Sequence, residues 1–474
     1  QKIVAESGAQ VDIDDDGTIH IASPDAASCD AAKKMIDDIC FVPEVGALYY
    51  GKVVRILPIG AFVEIAPGHD GMVHISKLEN RRVEKVEDVL NVGDMTFDLY
   101  WNSNKYNLGD YTNTLKDSAI PALIYHVPGN HDNDEYANDD YTAEQPYKDN
   151  LGPTYYSFNI GKAHFIMLDN TVYLNAGADA STRTPGDHSY NSAFTEMELA
   201  WLKADLATVK DKNAPLVIGT HCQVFYYNSS LDITPSMAYG HSTVLDQLLA
   251  DFTDVHIISG HTHNNTTMKI RNGLMEHNTG GSCATWWWTG YYSNGHICKD
   301  GAPGGMGVYE FRDTDLEWYY KGYGEPRDFQ LRTYDMNNVK TFFANNSVIR
   351  NMIRYYPDRN DYANVGNNVV YINVWGWDPE WKVSVKENGV ELNPTRVYMK
   401  DPLHTYAYDA TRVYKNSNNT YTEVLTSSNN YHLFAANASS ATSTLTIEVT
   451  DRFGNKYTET MSRPKEFAAQ IENL

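Results

Sequence analysis

Four apolar runs in this chain each end in a glycine that is followed by residues able to bind cations. They read "VLNVGD" at 89–94, "ALIYHVPGNHD" at 122–132, "PLVIGTH" at 215–221 and "VHIISGHTH" at 255–263. Short continuous apolar runs bounded by glycine are the pattern of strands buried on both faces. Between the runs lie stretches of helical length, "FTEMELAWLKADLATV" with an apolar face at Met197, Leu199, Leu202 and Leu206, and "STVLDQLLADF". Strands alternating with helices predict an α/β layer architecture, and such sheets gather ligands at the carboxyl ends of their strands. All four motifs sit at those ends.

The flanks read differently. Residues 1 to about 95 hold short alternating strands: "QVDIDDDGTIHIAS" as a hairpin, then "YYGKVVRIL", "GAFVEIA" and "GMVHIS". "DAASCDAAKKMIDDIC" is a helix with Ala31, Met35, Ile36 and Ile39 on one face and Ser28 or Asp30 as its cap. From about 305 on, strand-like runs such as "NNVVYINVWGWD" and "STLTIEVTDRFGNKYTETM" alternate with polar turns, which predicts a sandwich-like β domain. A length of 474 residues exceeds what one hydrophobic core organises.

Charge limits the partners. Lys and Arg total 38 against 61 Asp and Glu, a net charge of −23, so phosphates are repelled unless a basic face or bound cations reverse the local field. The five cysteines are odd in number and widely spaced, which fits neither a disulfide framework nor a CxxC metal site. No apolar run approaches membrane-spanning length. The chain begins "QKIVAESGAQ", without a charged-then-apolar leader, and a start inside a domain or after trimming is expected.

In this order, GD, GNHD, GTH and GHTH resemble the calcineurin-like metallophosphoesterases over about residues 93–290. "EWYYKG", "VWGWDPEWKV", "DPLHTYAYD" and "VTDRFGNKYTETM" resemble the C-terminal domain of some bacterial members. The resemblance implies hydrolysis of a phosphate mono- or diester by metal-bound hydroxide. The cofactor it implies is a divalent transition metal, Zn, Fe or Mn, since a mixed nitrogen and oxygen donor set suits these better than Mg or Ca. It places Asp94 as the bridge between two metals, Asn130, His221 and His261 around one of them, and His263 facing the other. His131 is implied as general acid at the leaving oxygen, oriented by Asp132. Trp286, Trp287 and Trp288 would form either a substrate wall or packing against the C-terminal domain.

The family's first motif, Asp-x-His on the opening strand, has no counterpart ahead of Asp94. Residues 1–94 resemble the KH and S1 RNA-binding region of polynucleotide phosphorylase instead, each module cut short. Phe62 and His74 match the base-stacking face of the S1 barrel, and Ile59 replaces an aromatic there. "VGD" is common to both parents, so the chain reads as a chimera joined at that point. Four domains are expected: a partial KH domain at 1–44, a partial S1/OB barrel at 45–94, a metallophosphoesterase domain lacking its first motif at 95–304, and the β-rich accessory domain at 305–474.

The resulting fold expectation is α/β, a metallophosphoesterase-type β-sandwich flanked by helices with its first strand missing. One metal per chain and weak turnover follow, because two ligands hold a second dication poorly. The alternative is an RNA-binding module of polynucleotide phosphorylase type that tethers single-stranded RNA weakly and carries the rest as passenger. The front half resembles cytoplasmic proteins and the back half exported bacterial enzymes.

Overall fold

The computed structural model describes residues 2–40, 52–57, 60–66, 69–74, 88–98, 101, 105–118, 120, 122–229, 231–237, 240–286, 296–359, 362–415, 421–423 and 426–467, with backbone alone for those of 52–74 and for 38–39, 117, 414 and 421–423. The chain falls into two compact units. One comprises residues 1–89 and 119–125, the other 90–118 and 126–474. Among the described residues no helix is long and apolar enough to cross a membrane.

In the first unit, Gln10–Ile13 pairs antiparallel with Ile19–Ala22 around the acidic turn. Gly17 takes φ 88° there and donates to the Asp14 carbonyl. The helix that follows, Ala26–Ile39, is capped by Asp25, whose carboxylate accepts from Ala27 and Ser28 N–H. The cap therefore lies upstream of both residues that the sequence suggested, because the helix begins one turn earlier. Ala32, not Ala31, is the buried alanine of its inner face. Lys52–Leu57, Gly60–Ala66 and His69–His74 form an antiparallel three-stranded sheet.

The second unit is built on a six-stranded sheet in the order Thr266–Arg271, Leu274–Asn278, Val255–Ser259, Leu216–Gly219, Ala163–Met167, Tyr156–Ile160. The four inner strands run parallel and the two edge strands antiparallel. Every residue of the inner strands is buried, as the apolar runs at 215–219 and 255–259 require for two of them. One face packs Ile166, Leu216, Ile218, Val255 and Ile257 against Leu202 and Leu206 of helix Glu196–Thr208 and Leu245 of helix Gly240–Leu248. The hairpin Gly305–Arg312/Asp315–Gly322 covers the other face. Phe311 meets Phe165 at 5.9 Å between ring centroids, and Trp318 meets His256 at 5.2 Å. Met197 is 70% exposed, off the inner face expected for it, and Glu198 is buried in its stead.

Glu198 has a reason to be inside. Its carboxyl accepts the Asp169 N–H at 2.8 Å, just past strand Ala163–Met167. Burial pushes Glu198 up to about 8. Asp169 is raised well above the carboxylate range, first by burial and then by Glu144 and Glu198 beside it. A buried acid raised in this way stabilises the fold through its protonated form. That contribution is whole below the ordinary value of 4.5 and is lost as pH rises through about 8. Glu198→Gln, which keeps an acceptor for Asp169, should therefore flatten the fall in Tm between pH 5 and 9. A Tm profile parallel to the parent's would count against it.

Beyond the hairpin, two four-stranded antiparallel sheets stack. One orders Arg332–Asp335, Val369–Asn373, Asn429–Asn437 and Thr395–Lys400, the other Val390–Glu391, Lys382–Glu387, Leu445–Thr450 and Lys456–Met461. Side chains alternate across the first sheet. Val370 and Ile372 meet Val385, Ile447 and Val449 of the second sheet, while Val369 and Tyr371 meet Val339, Phe343 and Ile349 of helices Met336–Asn345 and Ser347–Tyr355.

Candidate metal centre

Asp94, Asn130, His131, His221 and His261 converge at the carboxyl edge of the six-stranded sheet. His221 and His261 follow strands Leu216–Gly219 and Val255–Ser259 directly. Asp94 arrives from outside the sheet, on a turn whose glycine the packing demands. Gly93 holds φ 96°, and a Cβ there would lie 2.4 Å from His221 Nδ1. Gly129 is constrained equally, because its Cβ would lie 2.2 Å from the Asp94 nitrogen. Asp94, His261 and His263 themselves take positive φ (57°, 65° and 58°), a conformation non-glycine residues hold where the surrounding structure imposes it, and one that clusters at functional sites.

His221 organises the centre. Its Nδ1 donates to the Val92 carbonyl at 2.7 Å, so Nε2 presents a lone pair. Around that nitrogen stand Asn130 Oδ1 at 3.1 Å, His261 Nδ1 at 3.1 Å and Asp94 Oδ1 at 3.3 Å. His261 is fixed from behind by Tyr190, whose hydroxyl meets its Nε2 at 3.0 Å. Acceptors therefore crowd one buried point, and such a cluster calls for positive charge, as a proton or a cation. The titration behaviour agrees. Burial pushes Asp94 up, but the imidazoles of His221 and His131 outweigh it and hold the carboxyl well below its usual range. Burial pushes His221 down, and Asp94 more than reverses it. Burial, reinforced by the charge of His221, drives His261 down to about 3, leaving it neutral.

The carboxylate that orients His131 is Asp98, which corrects the expectation for Asp132. His131 Nδ1 meets Asp98 Oδ1 at 2.9 Å, and its backbone N–H donates to Asp94 Oδ1 at 3.1 Å. Asp132 is fully buried and faces the backbone instead, accepting from Gly129 N–H at 2.9 Å, Thr96 N–H at 3.0 Å and Met95 N–H at 3.3 Å. It ties the GNHD loop to the turn after Asp94. A carboxylate one residue beyond His131 is already committed to that turn and cannot also reach the ring.

Asp98 also accepts from His188 Nδ1 at 2.5 Å and from the Tyr173 hydroxyl at 3.3 Å. His188, Tyr173 and Tyr190 come from the strand pair Thr171–Tyr173/Tyr190–Ser192 and its loop, a segment whose sequence carries no motif. Cys222 was not foreseen either. Its sulfur and the ring nitrogens of His221 and His261 lie within 4.8 Å of one another.

His263 is held on the neighbouring loop, with Nδ1 donating to the Ala284 carbonyl at 2.7 Å and the Cys283 sulfur 3.6 Å from the same nitrogen. Trp286 stands beside it at 5.5 Å between ring centroids, with Lys299 Nζ 4.4 Å from the indole centroid. Trp287 and Trp288 lie outside the described residues. Phe62 and His74 belong to the three-stranded sheet, opposite Met72 and Gly60, and their side chains lie outside the described ones.

Residues 276–457 match the family described as the C terminal of calcineurin-like phosphoesterase, and residues 42–96 match the S1 RNA binding domain. The chain is 56% identical over 93 residues to the polyribonucleotide nucleotidyltransferase of Ruminiclostridium cellulolyticum, 20% of this chain and 13% of that protein. Against the enzyme of the same name from Gloeobacter violaceus it is 54% identical over 95 residues, again 20% of this chain and 13% of the relative. The chain thus spans 13% of the length of these curated relatives. Among solved structures, a dimetal phosphatase from Danio rerio aligns with a TM-score of 0.30 and 16% identity, covering 41% of this chain and 72% of that one. The chain carries the C-terminal domain of calcineurin-like phosphoesterases together with an S1 segment of polyribonucleotide nucleotidyltransferase type.

Proposed function

We propose that the chain is a metal-dependent phosphoesterase acting on a phosphate mono- or diester, with about one ion per chain and weak turnover. The observation that supports this is the meeting of Asp94, Asn130 and His261 around the free lone pair of His221. A divalent ion held there would supply Lewis-acid charge for the phosphoryl oxygens and acidify water. Asp94, Asn130, His221 and His261 are the residues that would hold it, and His263 would face the neighbouring position. The His131 ring holds a proton more readily than a free imidazole does. Burial pushes its ring down, but Asp98 first and then Asp94 raise it overall. That proton is available to a leaving oxygen, and Asp98 fixes the ring that carries it. Trp286 would border the substrate.

Elemental analysis of the full chain after Zn(II) or Mn(II) loading tests the reading, alongside hydrolysis of p-nitrophenyl phosphate and bis-p-nitrophenyl phosphate with and without chelator. Near-stoichiometric metal and chelator-sensitive hydrolysis are expected. Metal-free protein, or hydrolysis indifferent to chelator, would overturn it, and two tightly held ions would correct the count.

A second reading rests on the S1 match at residues 42–96, which supports tethering of single-stranded RNA through the barrel strands that carry Phe62 and His74. Filter binding at low salt separates the two, since RNA affinity unaffected by chelator belongs to the S1 segment alone.

A further inference from the structure

We propose that Cys222 is itself a metal ligand, so that the sulfur and the imidazoles of His221 and His261 form a three-point site for a thiophilic divalent ion such as Zn(II). This rests on the cation-binding reading of the cluster. The three ligand atoms lie within 4.8 Å of one another, hydrogen bonds hold both imidazoles, and the sulfur lies 3.9 Å from the Thr171 hydroxyl. Cys222 is fully buried, and its backbone is tied twice to Asn170, with N–H to Oδ1 at 2.9 Å and carbonyl to Nδ2 at 2.7 Å. The 3.1 Å between His221 Nε2 and His261 Nδ1 is close to the spacing of about 3.3 Å that two nitrogens adopt on one tetrahedral zinc.

Charge favours the sulfur. A dication in a water-poor site needs about two negative charges beside it. Of Asp94, Asn130, His221 and His261, Asp94 is the one that carries a negative charge. A thiolate at Cys222 makes up the difference, its proton passing to bulk water as the sulfur–metal bond forms. Such a donor shifts preference from Mn(II), which suits nitrogen and oxygen sets, towards Zn(II) and Co(II).

The test uses the full chain loaded with Co(II), whose bond to thiolate gives an intense near-ultraviolet charge-transfer absorption that nitrogen and oxygen ligands do not. That band is expected in the parent protein and in Cys283→Ser, and it should disappear in Cys222→Ser. Zn(II) affinity should fall by about tenfold or more in Cys222→Ser with Mn(II) affinity unchanged. The Cys283→Ser spectrum keeps the test decisive if the other variant does not fold. Co(II) bound without the band, a band that survives Cys222→Ser, or a band lost in Cys283→Ser would overturn the proposal while leaving the cluster reading intact. Failure of the parent to bind either Zn(II) or Co(II) would overturn both.

Discussion

His221→Ala is expected to empty the metal centre and to reduce phosphoesterase turnover by about a thousandfold or more. The side chain meets three of the other candidate ligands at once. His221 faces Asp94, Asn130 and His261 through one nitrogen and anchors the Val92 carbonyl through the other. Truncation removes a donor from the ion, leaves the Asp94 carboxylate without the imidazole beside it, and strands a carbonyl two residues upstream of Asp94. The last effect alone costs about 1–3 kcal/mol, so a lower Tm should accompany the lost activity. Metal content, turnover of bis-p-nitrophenyl phosphate and a thermal melt of the same preparation separate the contributions. A variant that still binds stoichiometric metal and hydrolyses at the parent rate would show that the chemistry lies elsewhere.

The second large effect is expected in the C-terminal sandwich. Arg463 meets Asp335 through two parallel contacts, Nε to Oδ2 and Nη2 to Oδ1, each 3.1 Å, with both side chains fully buried. Its Nη1 also donates to the Ser440 carbonyl at 2.7 Å. Asp335 closes strand Arg332–Asp335 and caps helix Met336–Asn345 by accepting from Asn337 N–H. Arg463→Ala leaves a carboxylate inside the protein with no cation beside it, and a cost of about 3–5 kcal/mol follows. Urea unfolding of the full chain reads this directly. Adding Asp335→Ala should recover part of the loss, because the isolated charge is then gone. A double variant weaker than the sum of the two single changes would mean that the cap and the strand end, and not the charge, dominate.

Much of the second unit was legible because its signals are local. Unbroken apolar runs marked two of the four inner strands, Leu216–Gly219 and Val255–Ser259, and a glycine at the end of each precedes a histidine at the carboxyl edge. The runs at 89–94 and 122–132 gave Asp88–Asn91 and Leu123–His126, which lie outside the six-stranded sheet and are only partly buried. Two helix details were misread for one reason: sequence periodicity does not show where a helix begins or which side it turns to the core. Asp25 caps a helix expected to start later, and Met197 is exposed while Glu198 lies inside. Glu198 is buried because Asp169, 29 residues away, offers it a backbone N–H.

The centre divides along the same line. Residue types and motif order pointed Asp94, Asn130, His131, His221 and His261 to one centre, although only His221 and His261 leave strands of the six-stranded sheet. Only the tertiary structure decided what each group does there. The tautomer of His221 is set by a carbonyl 129 residues away, and His188 reaches Asp98 across 90. Asp98, not the adjacent Asp132, holds His131, and the Cys222 sulfur comes near two imidazoles only once two strands lie side by side. Partnerships at such separations depend on the path of the whole chain, which no local spacing records.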